Sequence, residues 1–294
     1  MDITSLTPVG IAGAGYVDLV SDHSGAVYRI LIYVPRTAAP ASGWPVLYLT
    51  DGNAGFATAV DSLKIHSSHQ AGTNVGGGVV VAIGYPTDEP YDAFRRAWDL
   101  SPPPGRAFPP YYPNTPEVMT GGAGEFLSFI ETQVKPLIAA LVPVDVRRQA
   151  LYGHSFGGLF ALYALFTRPQ AFRTWIAVSP TIYWEDCEIL GFERRFLAQN
   201  PQALDMTLHL SAGQYEGDEL APFQKQRPDA AERTEKSKAN RTIAYAQEMA
   251  VRLGAIEGLG ITTSFQEFAG ETHMSLVPVA VNRAVQIAFE LPAT

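Results

Sequence analysis

A serine framed by glycines at residues 153–157 constrains the fold of this chain more than any other feature of its sequence. The segment reads Gly-His-Ser-Phe-Gly, follows the short apolar run 150–152 and precedes a second apolar run at 159–166. A strand that turns directly into a helix around a serine is a nucleophile elbow, which lifts the hydroxyl above the edge of a sheet. The two glycines are required because side chains there would collide with the neighbouring strand or helix. We therefore predict that Ser155 is a catalytic nucleophile.

The remaining apolar runs predict an α/β fold. Segments 15–20 and 27–34, joined by a turn-rich stretch, indicate an antiparallel hairpin at the N-terminus. Short strands that are apolar on both faces then alternate with helical stretches, at 46–49, 79–83, 150–152, 175–178 and 206–210, and a more polar edge strand is expected at 261–265. Such runs are typical of a mostly parallel central sheet with helices on both faces. Because no linker or repeat divides the chain, we expect a single α/β-hydrolase domain over residues 1–294.

Composition restricts the partners and the compartment. The formal net charge of −8 argues against nucleic acid or an anionic membrane surface as a partner. The single cysteine, Cys187, excludes an internal disulfide and a cysteine-based metal cluster, and we expect no metal and no cofactor. No apolar stretch is long enough to span a membrane, and residues 1–5 lack the pattern of a signal peptide. We expect a cytoplasmic protein, or a periplasmic or secreted one if a leader was removed; composition does not indicate the oligomeric state.

Residues 101–119 form an insertion rich in proline and aromatic residues, which excludes a helix or a central strand there. A long, stiff loop that follows a strand end is expected to be a wall or lid of an active site, with an irregular surface loop as the alternative. Tyr111 and Tyr112 in this loop, and Trp184 further along the chain, are candidate flat walls for a substrate. Ordinary core packing explains Trp184 equally well. The mixed charges of segment 217–241 instead favour a solvated helix.

A serine hydroxyl needs a general base, and in α/β-hydrolases the serine, the acid and the histidine follow one another along the chain. Of the six histidines, His273 alone follows the last predicted strand and precedes a last helix. The acid is expected after strand 206–210, where Glu216 is the first candidate and Asp218 the second. Asp186, after the preceding strand, is a more distant candidate. The carboxylate would hold the imidazole in its productive tautomer.

The tetrahedral intermediate of acyl transfer also needs two N–H donors for its oxyanion. One is expected from Phe156, the residue after the serine. The other is expected from the loop 50–54 after strand 46–49, where Gly52 allows a sharp turn and the N–H of Asn53 is the most natural donor. Phe156 and Asn53 are therefore the predicted oxyanion hole.

Several segments together carry a resemblance to a known family. They are Tyr-Leu-Thr-Asp-Gly at 48–52, Gly-His-Ser-Phe-Gly-Gly at 153–158, Ser-Pro at 179–180, Gly-Gln-Tyr-Glu at 213–216 and Gly-Glu-Thr-His at 270–273. They resemble the putative esterase family of α/β-hydrolases, and within it the branch of siderophore esterases that open enterobactin-type trilactones. Segment 95–102 also resembles that branch's Arg–Asp–Leu–Thr–Pro segment beside the active site. The Pro-rich loop 101–119 departs from the relatives and would reshape the pocket.

The resemblance implies a serine esterase that cleaves carboxylic esters through an acyl-enzyme, with a small-molecule ester such as a ferric siderophore as substrate. It also implies that Arg96 lies near the mouth of the site, where a guanidinium pairs with an anionic or polar acyl group. A structural salt bridge from Arg96 to Asp99 or to another carboxylate is the equal alternative. Some family members work with a Ser–His pair, which would leave Glu216 a minor role.

Three other functions remain open from the sequence. A carbohydrate or feruloyl-type esterase and an acyltransferase would use the same catalytic residues and differ in the pocket or in the exclusion of water. A catalytically inactive binding protein is disfavoured, because Ser155, His273 and Glu216 are all present.

Overall fold

An eight-stranded mixed sheet lies at the centre of the structure, a computed structural model that describes residues 9–292. The strands in chain order are β1 (Ala14–Val20), β2 (Val27–Tyr33), β3 (Trp44–Leu49), β4 (Val79–Gly84), β5 (Ala107–Phe108), β6 (Val118–Met119), β7 (Val144–His154), β8 (Thr174–Val178), β9 (Met206–Gly213) and β10 (Ile261–Phe268). Their order across the large sheet is β1-β2-β4-β3-β7-β8-β9-β10, and β5 and β6 pair with each other. Strand β2 pairs antiparallel with β1 and β4, and the other pairings in the large sheet are parallel.

The predicted fold class is confirmed by this arrangement. The N-terminal hairpin forms where the turn-rich stretch indicated it, and the polar last strand lies at the sheet edge. Strand β7 is longer than its apolar run, because residues 144–149 extend it toward the protein surface. That residues 1–294 form a single domain stays a prediction.

Helices connect the strands. They are α1 (Gly52–Ser67), α2 (Gln70–Thr73), α3 (Ala93–Leu100), α4 (Ala123–Phe129), α5 (Lys135–Leu141), α6 (Phe156–Thr167), α7 (Trp184–Ala198), α8 (Pro222–Lys225), α9 (Ala230–Asn240), α10 (Thr242–Gly254) and α11 (Leu276–Ala288). A π-helical turn at Ile130–Val134 joins α4 to α5, and a 3₁₀ turn at Gln214–Glu216 follows β9. Within residues 9–292, no helix is long and apolar enough to cross a bilayer.

The core lies on both faces of the sheet, which explains the unbroken apolar runs of the central strands. Val81 and Ile83 of β4 face one apolar cluster, shared with α4, α6 and α10. Val80 and Ala82 face a second cluster, shared with α1 and α11. Because side chains alternate along a strand, helices on both faces require apolar residues at every position. Full burial of a valine or isoleucine contributes about 1.5–3 kcal/mol.

Neither unusual segment disturbs this frame. The Pro-rich insertion 101–119 folds back on itself as the short ribbon of β5 and β6. The charged segment 217–241 contains α9, none of whose side chains is buried, as expected for a solvated helix. The carboxyl ends of the parallel strands β3, β7, β8, β9 and β10 lie along one edge of the sheet. The loops that follow these strand ends carry every predicted catalytic residue.

Candidate active site

Ser155 occupies a strained turn between β7 and α6. Its backbone adopts φ 59° and ψ −117°, a region that residues with side chains rarely visit, and its N–H donates to the Val178 carbonyl at 2.9 Å. A Cβ on Gly153 would lie 2.0 Å from the Gly157 carbonyl oxygen, and one on Gly157 would lie 2.4 Å from Thr50 Oγ1. Both glycines are therefore fixed by close packing, as the elbow motif requires.

His273 lies beside this serine, in the turn between β10 and α11. Its Nε2 lies 3.1 Å from Ser155 Oγ, although the two residues are 118 positions apart in the chain. Its Nδ1 lies 2.6 Å from Glu216 Oε2. Since a carboxylate only accepts hydrogen bonds, Nδ1 carries the proton and the neutral ring leaves Nε2 free to accept the serine proton.

Glu216 closes the 3₁₀ turn after β9 and is almost fully buried. Its Oε1 accepts the Gly213 N–H at 2.8 Å and the Ser179 hydroxyl at 2.5 Å. The second-choice acid, Asp218, is exposed, and neither it nor Asp186 is hydrogen-bonded to His273 in the part of the chain that the structure describes. Of the three candidate carboxylates, the structure brings Glu216 to the histidine.

A second histidine, His154, packs beneath the first. The two ring centroids lie 4.6 Å apart, and the His154 ring is buried. Burial, with further contributions from His273 and Arg96, holds the pKa of His154 well below its ordinary value. The site therefore places a neutral imidazole against His273, a contact that the sequence motif did not reveal.

Two helix N-termini meet at the proposed oxyanion hole. Helix α6 begins at Phe156, directly after the serine, and α1 begins at Gly52, after the strand β3 that lies beside β7, and each helix N-terminus carries a partial positive charge. The side chain of Asn53 is engaged elsewhere: its Oδ1 accepts the Tyr85 N–H at 2.8 Å, and its Nδ2 donates to the carbonyls of Tyr85 and Thr87. These contacts anchor the start of α1, and the N–H groups of Phe156 and Asn53 stay the predicted donors.

Arg96, predicted to face the substrate, is paired with a carboxylate of the chain. Its Nε and Nη2 donate to Asp51 Oδ1 and Oδ2 at 2.8 and 2.9 Å. Burial opposes the charge of Arg96, but the Asp51 carboxylate outweighs it and raises the pKa of Arg96. Arg96 therefore forms a structural salt bridge, and its partner is Asp51 rather than Asp99. Asp99 instead accepts hydrogen bonds from the hydroxyls of Tyr28 and Tyr85.

Aromatic side chains cluster around Phe156, the residue after the serine. Trp184 lies edge-on to Phe156 at 4.8 Å between ring centroids and contacts Phe108 of the insertion at 5.1 Å. Tyr111 packs on Phe94 at 5.6 Å, whereas Tyr112 is mostly exposed. The sequence pointed to Trp184 and Tyr111 but missed their aromatic partners, Phe108 of the insertion and Phe94 of α3. Trp184, Phe156 and Phe108 together form the aromatic wall.

An ion pair joins the insertion to the segment that carries Trp184. Arg106 Nη1 lies 2.6 Å from Glu185 Oε2. Glu185 begins a run of three residues with positive φ, at 48°, 53° and 63°, which turns the chain sharply after Trp184. The insertion is therefore attached to the aromatic wall by both a charged and an aromatic contact.

No three His, Cys, Asp or Glu side chains converge as metal ligands within residues 9–292.

Comparison with known proteins adds a family match and close relatives. Residues 21–252 match the family model described as putative esterase. The chain is 36% identical over 272 residues to the ferri-bacillibactin esterase BesA of Bacillus subtilis, covering 91% of this chain and 86% of the relative. It is 38% identical over 258 residues to the siderophore triacetylfusarinine C esterase of Aspergillus fumigatus, covering 84% and 82%. The solved siderophore hydrolase EstA from Aspergillus nidulans superimposes with a TM-score of 0.84 at 32% identity, over 98% of this chain and 99% of that one.

Proposed function

The chain belongs to the putative esterase family, and on that premise we propose that it is a serine esterase that hydrolyses the ester bonds of siderophores through an acyl-enzyme. The observation that carries the proposal is the relay from Glu216 through His273 to Ser155, with contacts of 2.6 and 3.1 Å. Ser155 is the nucleophile, His273 the general base and acid, and Glu216 the group that orients the histidine.

The geometry supports a two-step reaction. As Ser155 Oγ attacks the ester carbonyl, its proton moves to His273 Nε2, and the Glu216 carboxylate stabilises the resulting imidazolium. The N–H groups of Phe156 and Asn53 hold the oxyanion until the intermediate collapses, when His273 returns the proton to the leaving alkoxide oxygen. A water deprotonated by the same Nε2 then attacks the acyl group on Ser155, and His273 returns that proton to Ser155 Oγ as the acid is released.

Two observations support a siderophore as the ester. The relatives described above are named for iron carriers, ferri-bacillibactin in one case and triacetylfusarinine C in another. The wall of Trp184, Phe156 and Phe108 also offers apolar faces to a bulky chelate. Because Asp51 occupies Nε and Nη2 of Arg96, this wall rather than the guanidinium is the main recognition surface in our proposal.

The test is a panel of esters offered to the wild type and to Ser155→Ala. It contains p-nitrophenyl acetate and a feruloyl sugar ester. It also contains a cyclic trilactone siderophore and a tris-hydroxamate ester siderophore, and both siderophores are tested with and without iron. We expect the wild type to cleave siderophore esters far faster than p-nitrophenyl acetate, with products identified by mass spectrometry, and Ser155→Ala to be inactive. A fluorophosphonate should label Ser155 in the wild type.

Each contrary result removes a defined part of the proposal. Cleavage of simple or feruloyl esters alone would retain the serine mechanism and reject the siderophore. Transfer of the acyl group to an added alcohol in preference to water would indicate an acyltransferase. Equal turnover by wild type and Ser155→Ala, or none by either, would reject the esterase assignment.

A further inference from the structure

We propose that Ser179 is a positioning residue for this reaction, which holds the Glu216 carboxylate in the orientation that His273 needs. The inference rests on the proposed function, since it assigns a role within the same relay. The side chain of Ser179 is hydrogen-bonded to Glu216 and not to Ser155. Its hydroxyl acts through Glu216.

The contacts divide the carboxylate into two halves with different partners. Oε1 accepts the Ser179 hydroxyl at 2.5 Å and the Gly213 N–H at 2.8 Å, while Oε2 faces His273 Nδ1 at 2.6 Å. Rotation of the carboxylate about its last torsion would break both bonds to Oε1. Because Glu216 has a long, flexible side chain, these two donors select the one rotamer that presents Oε2 to the imidazole.

The backbone around Ser179 is built to deliver that hydroxyl. Ser179 follows the last residue of β8, and its N–H donates to the Ser211 carbonyl on β9 at 2.7 Å. Its φ is 43°, in the left-handed region where glycine would be favoured, and its side chain is almost fully buried. Glycine would relieve this strain but would also remove the hydroxyl that Glu216 Oε1 accepts.

Gly213 supplies the second donor under similar constraint. A Cβ at this position would lie 2.6 Å from the Glu271 carbonyl oxygen and 3.2 Å from Glu216 Oε1. The ends of β8 and β9 thus form a two-donor socket for Oε1, made from Ser179 and Gly213. Of the two donors, the hydroxyl is the one that a substitution can remove without disturbing the backbone.

The experiment measures hydrolysis of p-nitrophenyl acetate, which does not depend on the siderophore part of the proposed function. We expect Ser179→Ala to lower kcat about tenfold with KM unchanged, the effect of one hydrogen bond to a charged group. Ser179→Gly should lose the same factor, because freeing the backbone does not replace the hydroxyl. The matched control is Ser211→Ala: this serine is equally buried on the adjacent strand, its Oγ has no partner among the described residues, and the variant should keep wild-type activity.

Two further readouts separate positioning from a structural role. In a Glu216→Ala background, Ser179→Ala should cause no additional loss of kcat, because a residue that acts through Glu216 has nothing left to orient. In the wild type, the low-field proton resonance of His273 Nδ1–H should be sharp, and in both Ser179 variants it should shift or broaden. A substitution that only lowered the melting temperature would change neither the kcat comparison in the Glu216→Ala background nor the His273 resonance.

Three results would overturn the inference: full activity in Ser179→Ala, recovery of activity in Ser179→Gly, or an undiminished effect of Ser179→Ala in the Glu216→Ala background. If Ser179→Ala does not fold, Ser179→Gly decides, since glycine relieves the strained φ. Failure of the proposed function looks different, because wild type and Ser155→Ala would then hydrolyse p-nitrophenyl acetate equally or not at all. An inactive Ser155→Ala together with an unaffected Ser179→Ala would reject the role of Ser179 alone.

Discussion

The ring of His154 lies 4.6 Å from the ring of His273, centroid to centroid, and is itself buried. Attack by Ser155 would transfer a proton to His273 and make it cationic, so a charged neighbour at this distance would oppose the reaction. Burial prevents that by lowering the pKa of His154 and keeping the ring neutral. The pair thus combines close packing with the absence of charge repulsion.

This burial makes the protein sensitive to acid. Because the pKa of His154 is lowered in the folded state, the unfolded chain binds a proton at this histidine at a higher pH than the folded protein does. The free energy of unfolding therefore falls as the pH drops below about 6.5, the ordinary pKa of a histidine. Above that value His154 contributes no pH dependence. We expect His154→Leu to show a shallower loss between pH 6.5 and pH 5 in urea unfolding, and the exposed His69→Gln to match the wild type. An unchanged slope in His154→Leu would contradict the explanation.

The role of the acid is tested by an isosteric change. Glu216→Gln keeps the shape of the side chain but presents His273 with an amide, which no longer fixes the proton on Nδ1. We expect kcat to fall about ten-thousandfold with KM little changed. Asp218→Asn is the matched control, because this exposed carboxylate does not contact His273, and its kinetics should equal those of the wild type. A loss below tenfold in Glu216→Gln would indicate a Ser–His pair instead.

Arg96 and Asp51 form a pair whose disruption should cost stability. Their side chains are 15% and 7% exposed, so Arg96→Met leaves a buried carboxylate without its partner. We expect the free energy of unfolding to fall by about 3 kcal/mol, and the double variant with Asp51→Asn to recover part of that loss. The exposed pair of Arg233 and Asp229 supplies the control, since Arg233→Met should cause no measurable change. Wild-type stability in Arg96→Met, with an altered KM, would restore the substrate-binding role first predicted for Arg96.

The aromatic wall predicts a change that depends on the size of the substrate. Trp184→Ala removes the face between Phe156 and Phe108, and we expect KM for a siderophore ester to rise about tenfold. KM for p-nitrophenyl acetate should change far less, because so small an acyl group reaches Ser155 without the wall. Tyr112→Ala is the comparison, as its mostly exposed ring forms no aromatic pair in the described region. Equal rises for both esters in Trp184→Ala would point to a general collapse of the site.

Local sequence patterns were enough to predict the strands of the large sheet and the candidate catalytic residues. Apolar runs gave the strands, the two glycines located Ser155, and chain order selected His273 and Glu216. The partner of Arg96 could not be read in this way, because Asp51 is 45 residues away in the chain and only the folded structure brings it beside α3. The same holds for Phe108, whose contact with Trp184 depends on how the insertion folds. The three residues with left-handed backbone that begin at Glu185 could not be predicted either, because none of them is glycine.

The acid and the base are carried by neighbouring parallel strands. Phe268, the last residue of β10, is paired with Gly213, the last residue of β9, so both loops leave the sheet at one level. The insertion that contacts the aromatic wall enters from the opposite side of β7, between β4 and β7 in the chain. Because these segments leave the sheet on different sides of β7, we expect changes in the length or sequence of residues 101–119 to leave the spacing of Ser155, His273 and Glu216 unaltered.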